Sequence, residues 1–183
     1  MTLTLAKWTL DEYHQMVESG ILDDRHVELL QGEIVEMSPE REPHAYSSNN
    51  AGRYLIELLG KLAEIRFANP ITLPKNSEPE PDIAIVQYLQ REYFKHHPYP
   101  ENIFWLIEYA YTSLDKDLNF KSQIYAEANI PEYWVVNLQE KHLVVFRQPQ
   151  DGKYTTKLTL TSGIVYPISF PAIAISVDII ICR

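Results

Sequence analysis

The sequence predicts an α/β (α+β) fold, a mixed central sheet flanked by helices with hairpins at its edges. Three observations predict it. Apolar runs of strand length alternate with helical periodicity through the middle of the chain, glycine-bearing turns join strand-like runs towards both ends, and two capping signals mark helix starts. Hairpins beside alternating strands and helices argue against a purely parallel sheet, because a tight turn joins only antiparallel neighbours.

Thr9 followed by Glu12 fits a capping box, and Gly20 offers a left-handed stop, so Leu10 to Ser19 is expected as a short helix. His26 to Leu30 and Glu33 to Met37 are strand candidates joined at Gln31-Gly32, where glycine supplies the positive φ of a tight turn. Beyond Ser38-Pro39 a long helix should open at Pro43 or His44. Its apolar residues Leu55, Leu58, Leu59 and Leu62 recur at three- and four-residue spacing and carry it to about Ile65. Four prolines between 69 and 81 make that stretch largely loop, with an edge strand near Ile71 to Leu73.

Ile83 to Val86 reads as a short buried strand. A polar, aromatic and proline-containing insertion from Gln87 to Glu101 separates it from the next apolar run, Phe104 to Ile107, which ends in Glu108. Thr112 and Asp115 resemble a second capping box, opening a helix from about Leu114 to Ala128 that Asn129 closes ahead of Ile130-Pro131. Tyr133 to Asn137 is a strand, and His142 to Gln148 pairs with Tyr154 to Leu160 across Asp151-Gly152. The C-terminal IAISVDIII is apolar enough for strand or buried helix. Without internal repeat or linker, residues 1–183 are expected as one domain: an N-terminal helix and hairpin at 9–37, a central core at about 43–137, and C-terminal strands at 142–183.

Composition narrows the function classes. With 45% apolar and 22% charged residues the chain is an ordinary globular protein, and its twelve tyrosines and three tryptophans supply large core surfaces. The single cysteine, Cys182, excludes an internal disulfide and a four-thiolate zinc site and fits a reducing cytosol. No basic start with a long apolar stretch opens the chain, and no run approaches the roughly 18 apolar residues of a membrane span, so a soluble cytoplasmic protein is expected. A net charge of −9 opposes general affinity for nucleic acid, which rests on Lys and Arg neutralising phosphates.

Asp82 stands after Pro81 at the mouth of one buried strand, and Glu108 ends the next. Two carboxylates brought together there repel unless one holds a proton or a cation lies between them, and hard divalent ions prefer oxygen ligands. From position alone each is more simply a solvated strand-end charge. Asp117, Lys121 and Tyr125 are spaced by four and form a stripe on one helix face, where Asp117 and Lys121 would ordinarily pair with each other. This helix follows directly on the strand bearing Glu108, so Lys121 can reach back over the strand end. Other features are plainer: His96-His97 diverge as loop residues, Ser113 is a helix-start residue with no Gly-x-Ser-x-Gly frame, Tyr133-Trp134 is core, and no phosphate-binding glycine loop is present.

The segments VELLQGEIVEMSP, PHAYSSNNAGRYL, EPDIAIV and LIEYAYTSLDKDLNFKSQIYAEANIPEYWVVN resemble the Uma family of "putative restriction endonucleases". The likeness covers roughly Trp8 to Asn137, and the last segment is the most specific, with Glu108, Ser113, Asp117, Lys121, Tyr125 and the run Ile130 to Trp134 in order. It implies the restriction-endonuclease-like fold of the PD-(D/E)xK superfamily, in which an Asp and a Glu bind magnesium and a Lys assists the attacking water. Pro81-Asp82 matches the first half of that motif. Ala110 stands where the motif has its lysine, and the resemblance implies Lys121 as the migrated substitute.

The expected catalytic residues are therefore Asp82, Glu108 and Lys121, with Asp82, Glu108 and the Tyr109 backbone carbonyl as ligands to Mg2+, for which Mn2+ can substitute. Asp117 would position Lys121. The resemblance suggests accessory roles for Glu33 and His44, and Glu28 is a further candidate acid. Against these stand exposed hairpin positions for Glu28 and Glu33 and a helix-start role for His44. The implied activity is hydrolysis of DNA phosphodiester bonds by a homodimer, whose two sites can address two strands. A non-catalytic module binding nucleic acid or protein on the same scaffold is the main alternative. Glycoside or small phosphoester hydrolysis by paired acids would need an enclosed pocket.

Overall fold

The computed structural model describes residues 5–183. Its centre is a six-stranded mixed sheet in the order β3-β4-β5-β6-β7-β8, built from β3 (Glu64–Phe67), β4 (Ile83–Val86), β5 (Ile103–Ala110), β6 (Glu132–Asn137), β7 (His142–Gln150) and β8 (Lys153–Leu160). Only β5 and β6 run parallel. A parallel pair needs a crossover, and the helical segment between them provides it. The fold is α+β, with helices flanking the mixed sheet.

The N-terminal helix α1 (Leu10–Glu18) forms where its cap places it: Thr9 Oγ1 accepts from the Glu12 N–H at 3.2 Å, and the Glu12 carboxylate accepts from the Thr9 N–H at 2.8 Å. Strands β1 (Val27–Leu30) and β2 (Glu33–Glu36) make a separate two-stranded hairpin. Its turn residues Gln31 and Gly32 both have positive φ, 49° and 79°, matching the twist of the flanking strands. All four β1 residues are buried.

Helix α2 (Glu42–Leu59) is shorter than its periodicity suggests. Gly60 turns left-handed at φ 53°, one 3-10 turn follows, and Glu64–Phe67 pairs antiparallel with β4. Leu62, which seemed to extend the apolar stripe, is 57% exposed. Pairing to a buried neighbour thus outweighs helical spacing for Ile65. Helix and strand approach so closely that a Cβ on Gly52 would lie 1.9 Å from the Phe67 ring. Nearby, the expected strand at Ile71 to Leu73 reduces to a single bridge, Leu73 to Ser77.

Between β5 and β6 the helix begins near Leu114, passes through a π-helical turn (Lys116–Lys121), and ends as α3 (Ser122–Glu127), with Asn129 left-handed at φ 58°. The anticipated Thr112–Asp115 box is replaced by Ser113, whose Oγ donates to Asp117 Oδ2 at 2.6 Å. At the C-terminus both readings of IAISVDIII hold in sequence: β10 (Ile175–Ser176) pairs with β9 (Ile164–Val165), and α4 (Val177–Ile180) follows at once.

Strand alternation divides the core. Trp105, Ile107 and Tyr109 pack with Leu55 and Leu59 of α2, whereas Leu106 and Ala110 pack with Ile124 and Tyr125 of α3. Glu108 shares the second parity and so turns towards the crossover helix. Among the described residues no helix is long and apolar enough to cross a membrane.

Candidate metal centre

Antiparallel pairing of Ile83 with Ile107 puts the next residues outward, Asp82 and Glu108, opposite each other. The Tyr109 N–H donates to Asp82 Oδ2 at 2.6 Å and fixes the aspartate across the strand end. Glu108 is buried, and its Oε1 accepts from Lys121 Nζ and from the Tyr125 hydroxyl, each at 2.9 Å. Its Oε2 has no hydrogen-bond donor among the described residues.

Lys121 is buried as well and has a second carboxylate at hand, Glu28 Oε2 at 3.0 Å. Glu28 is 0% exposed rather than a solvated hairpin acid, because β1 bridges to Glu78 through Leu29 and is covered on both faces. Lys116 Nζ donates to Glu28 Oε1 at 3.1 Å and the Glu80 N–H to Oε2 at 3.3 Å, so the buried acid is fully engaged. The expected Asp117–Lys121 pair is not formed among the described residues. Lys121, in the π-helical turn, is delivered to Glu108 and Glu28 instead, while Asp117 is held by Ser113.

The charges respond to this crowding. Burial pushes the Glu108 carboxyl up to about 8; Lys121 pulls it down, and Asp82, Asp117 and Glu28 push it further up. Burial alone would lower Lys121, but Glu108, Glu28 and Asp117 hold it well above the ordinary lysine range and keep it charged. Glu28 lies below the usual carboxylate range because its two lysines outweigh its burial. Asp117 is raised by burial, with Lys121 and the Ser113 hydroxyl opposing.

At the entry to α2, His44 Nε2 lies 3.1 Å from Asp82 Oδ2. His44 is raised above the ordinary imidazole value, since its hydrogen bond to Asp82 and the charges of Asp82, Glu40 and Glu108 outweigh its burial. Its buried Nδ1 has no hydrogen-bond partner, and Glu40 Oε2 stands 3.8 Å away. Glu40, His44 and Asp82 can each offer one ligand atom, all within 4.8 Å of one another.

Asp82, Glu108, Tyr109, Lys121, Asp117 and His44 line one open cleft of about 660 Å³, as does Glu40. Glu33 does not line it; it is 49% exposed at the hairpin turn and pairs with Lys7 at 2.7 Å. Two acids at an open volume suit an oxygen-preferring divalent cation. A raised Glu108 with Asp82 opposite is also what a carboxylate pair shows when no cation screens it. Sequence reasoning passed over Glu40, although its position four residues ahead of His44 at a helix entry was visible. Lys116 left no signal, because its role depends on where the hairpin folds.

Residues 10–178 match the sequence model of the Uma2 family, described as "Putative restriction endonuclease". The chain belongs to the Uma2 family. A crystal structure of a "putative nuclease belonging to DUF820" from Anabaena variabilis superposes with a TM-score of 0.75 at 16% identity, covering 95% of this chain and 97% of that one. At that identity the likeness concerns the fold. No curated protein matches the chain. Membership of Uma2 makes this chain nuclease-like in family and fold, and the acidic cleft lies within the matched span.

Proposed function

We propose that this Uma2 protein is a divalent-metal-dependent endonuclease that hydrolyses phosphodiester bonds of DNA. The observation that carries the proposal is the strand register that sets Asp82 opposite Glu108 at the rim of an open cleft, with the charged Lys121 bonded to Glu108. Asp82, Glu108 and the Tyr109 backbone carbonyl would hold Mg2+, or Mn2+ in its place. Such an ion supplies Lewis acidity to the scissile phosphate and lowers the pKa of water.

The chain's own residues do the rest. Tyr109 N–H holds Asp82 in place, and Lys121 with Tyr125 occupies one oxygen of Glu108 and leaves the other without a donor among the described residues. Lys121 stays protonated, so it acts as a fixed cation and not as a base; two of its three N–H groups are used by Glu108 and Glu28, which leaves one for water or phosphate. Glu28 and Lys116 hold Lys121 from behind, and Asp117 adds negative charge that favours its ammonium form. His44 steadies Asp82. A homodimer presenting two clefts belongs to the same proposal, because cutting both strands takes two sites.

Calorimetric titration with Mn2+ tests it without knowledge of sequence preference. Wild type should bind, and Asp82→Asn should lose that binding while keeping its fold. Binding unchanged in Asp82→Asn would overturn the metal site. No binding in either protein, even with DNA present, would favour the non-catalytic binding module.

A further inference from the structure

We infer that a second cleft, bordered by the aromatic insertion between β4 and β5, seats an unpaired nucleobase of the DNA strand being cut, so that the substrate is single-stranded or locally melted DNA. The inference rests on the proposed nuclease reading for the identity of its ligand as DNA.

Three observations carry it, and the first is a prepared stacking surface. The insertion Gln87 to Glu101 leaves the Phe94 side chain 94% exposed, so that ring supports nothing in the fold. His96 lies face to face with Tyr99, 4.7 Å between ring centroids and 19° between planes, and Tyr93 meets the His96 ring edge-on at 6.2 Å. Hydrogen bonds tie the insertion down: the Tyr93 hydroxyl donates to the Gln87 carbonyl at 2.9 Å, and the Thr72 N–H donates to the Pro98 carbonyl at 2.9 Å. Rings held in this way lose little freedom when a base stacks on them, and stacking accepts any base because every base has a π face.

The second observation is continuity with the metal centre. Tyr93, Phe94, His96 and Tyr99 border a cleft of about 490 Å³. Ala68 and Asp82 line the metal cleft, Pro70, Thr72 and Glu78 line the aromatic one, and Glu80 lines both. These two chain segments are joined along their length, the Ala68 N–H donating to the Asp82 carbonyl at 3.1 Å and the Ile71 N–H to the Pro79 carbonyl at 3.0 Å. A strand with a phosphate at Asp82 therefore has the aromatic cleft next along its path.

Charge is the third. Glu18, Glu78 and Glu80 line the aromatic cleft and repel a phosphate, and burial holds His97 below the ordinary imidazole value. Lys95 is engaged by Glu92 at 3.0 Å. The cations suited to a phosphate backbone, Arg41, Lys116 and Lys121, line the metal cleft instead. Backbone in one cleft and an uncharged base in the other fits this division. A net charge of −9 also disfavours a duplex, whose binding rests on phosphate neutralisation, more than a single strand, which draws affinity from stacking.

Anisotropy titration of the full chain with a labelled thymine oligonucleotide and with a duplex of the same length, in Ca2+ and again in chelator, tests the inference. The single strand should bind more tightly. Phe94→Ala, a change at an exposed ring, should weaken single-strand binding about tenfold or more and leave duplex and Mn2+ binding as in wild type. Tyr99→Ala should act in the same way, and Tyr99→Phe, which keeps the ring, should not. A 2-aminopurine base in the oligonucleotide should be quenched on binding to wild type and less so with Phe94→Ala. Unchanged single-strand affinity in both alanine variants, equal losses for single strand and duplex, or no single-strand binding by wild type in either condition would overturn the inference; Mn2+ binding retained in those proteins would leave the metal centre standing. Ring-dependent binding by a protein that takes up no Mn2+ would uphold the base-binding cleft and sink the metal centre. If Phe94→Ala lowers the sedimentation mass without touching single-strand affinity, the surface joins two copies of the chain and the inference is likewise overturned.

Discussion

Glu108 on β5 and Glu132 on the neighbouring β6 are both buried acids, yet they are finished differently. Both oxygens of Glu132 are bonded: Oε1 accepts from Trp134 Nε1 at 2.7 Å and from Arg147, whose Nη2 lies 2.7 Å away, and Oε2 accepts from the Ile168 N–H at 2.7 Å. Among the described residues Glu108 is tied at Oε1 alone, by Lys121 and Tyr125, and the residue lines the cleft. A saturated buried carboxylate braces the fold, whereas one bonded at a single oxygen beside a second acid keeps acceptor capacity that the proposed metal centre would use. Burial by itself therefore does not separate structural charge from functional charge; the count of unmet acceptors does.

The largest expected effect falls on the saturated acid. Glu132→Ala should strand Arg147 and the Trp134 N–H and cost about 3–5 kcal/mol in denaturant unfolding, while Mn2+ binding by the surviving folded fraction is retained. Glu108→Gln should do the reverse, with the unfolding midpoint little changed and binding at its position lost. If both substitutions cost the same stability, the distinction between brace and site collapses.

A pH series sharpens the contrast. Folded Glu108 keeps its proton up to about 8, while in the unfolded chain it lets go near the ordinary carboxyl value of 4.5. Between those values the folded state binds more protons, so the metal-free protein should lose stability as pH rises through this window, and Glu108→Gln should flatten the slope. Glu28, held below its ordinary value, acts oppositely: its contribution is present at neutral pH and fades as pH falls through the folded value. Smaller effects close the series. Tyr125→Phe removes one of the two donors on Glu108 Oε1 and should cost about 1 kcal/mol in thermal or chemical unfolding. Glu33→Ala breaks only an exposed pair with Lys7 and should stay within about 1 kcal/mol with metal binding unaltered.

Much of this architecture was legible in the residues. The Thr9–Glu12 cap, the turns at Gln31-Gly32 and Asp151-Gly152, and β4 follow from local chemistry that tertiary packing did not override. The convergence of Asp82 and Glu108 was also within reach, because each flanks an apolar strand run. What escaped depends on distant contacts. The chain up to about Ile65 looked helical because the strand status of Glu64–Phe67 comes from pairing with β4, and Glu28 looked exposed because its burial comes from the loop that β1 bridges. That Lys121 reaches back to the strand end of Glu108 was legible from the helix following β5, but the π turn and the second partner, Glu28, carry no signature in the sequence.

Cleavage of supercoiled plasmid DNA and of single-stranded DNA, with Mg2+ or Mn2+ and then with chelator, tests the central claim most directly. Wild type should nick or cut in the presence of metal and stop on chelation, while Asp82→Asn and Glu108→Gln, folded by circular dichroism, should be inactive. Cleavage that persists in both variants, or a metal-loaded wild type that leaves every nucleic acid intact, would contradict it.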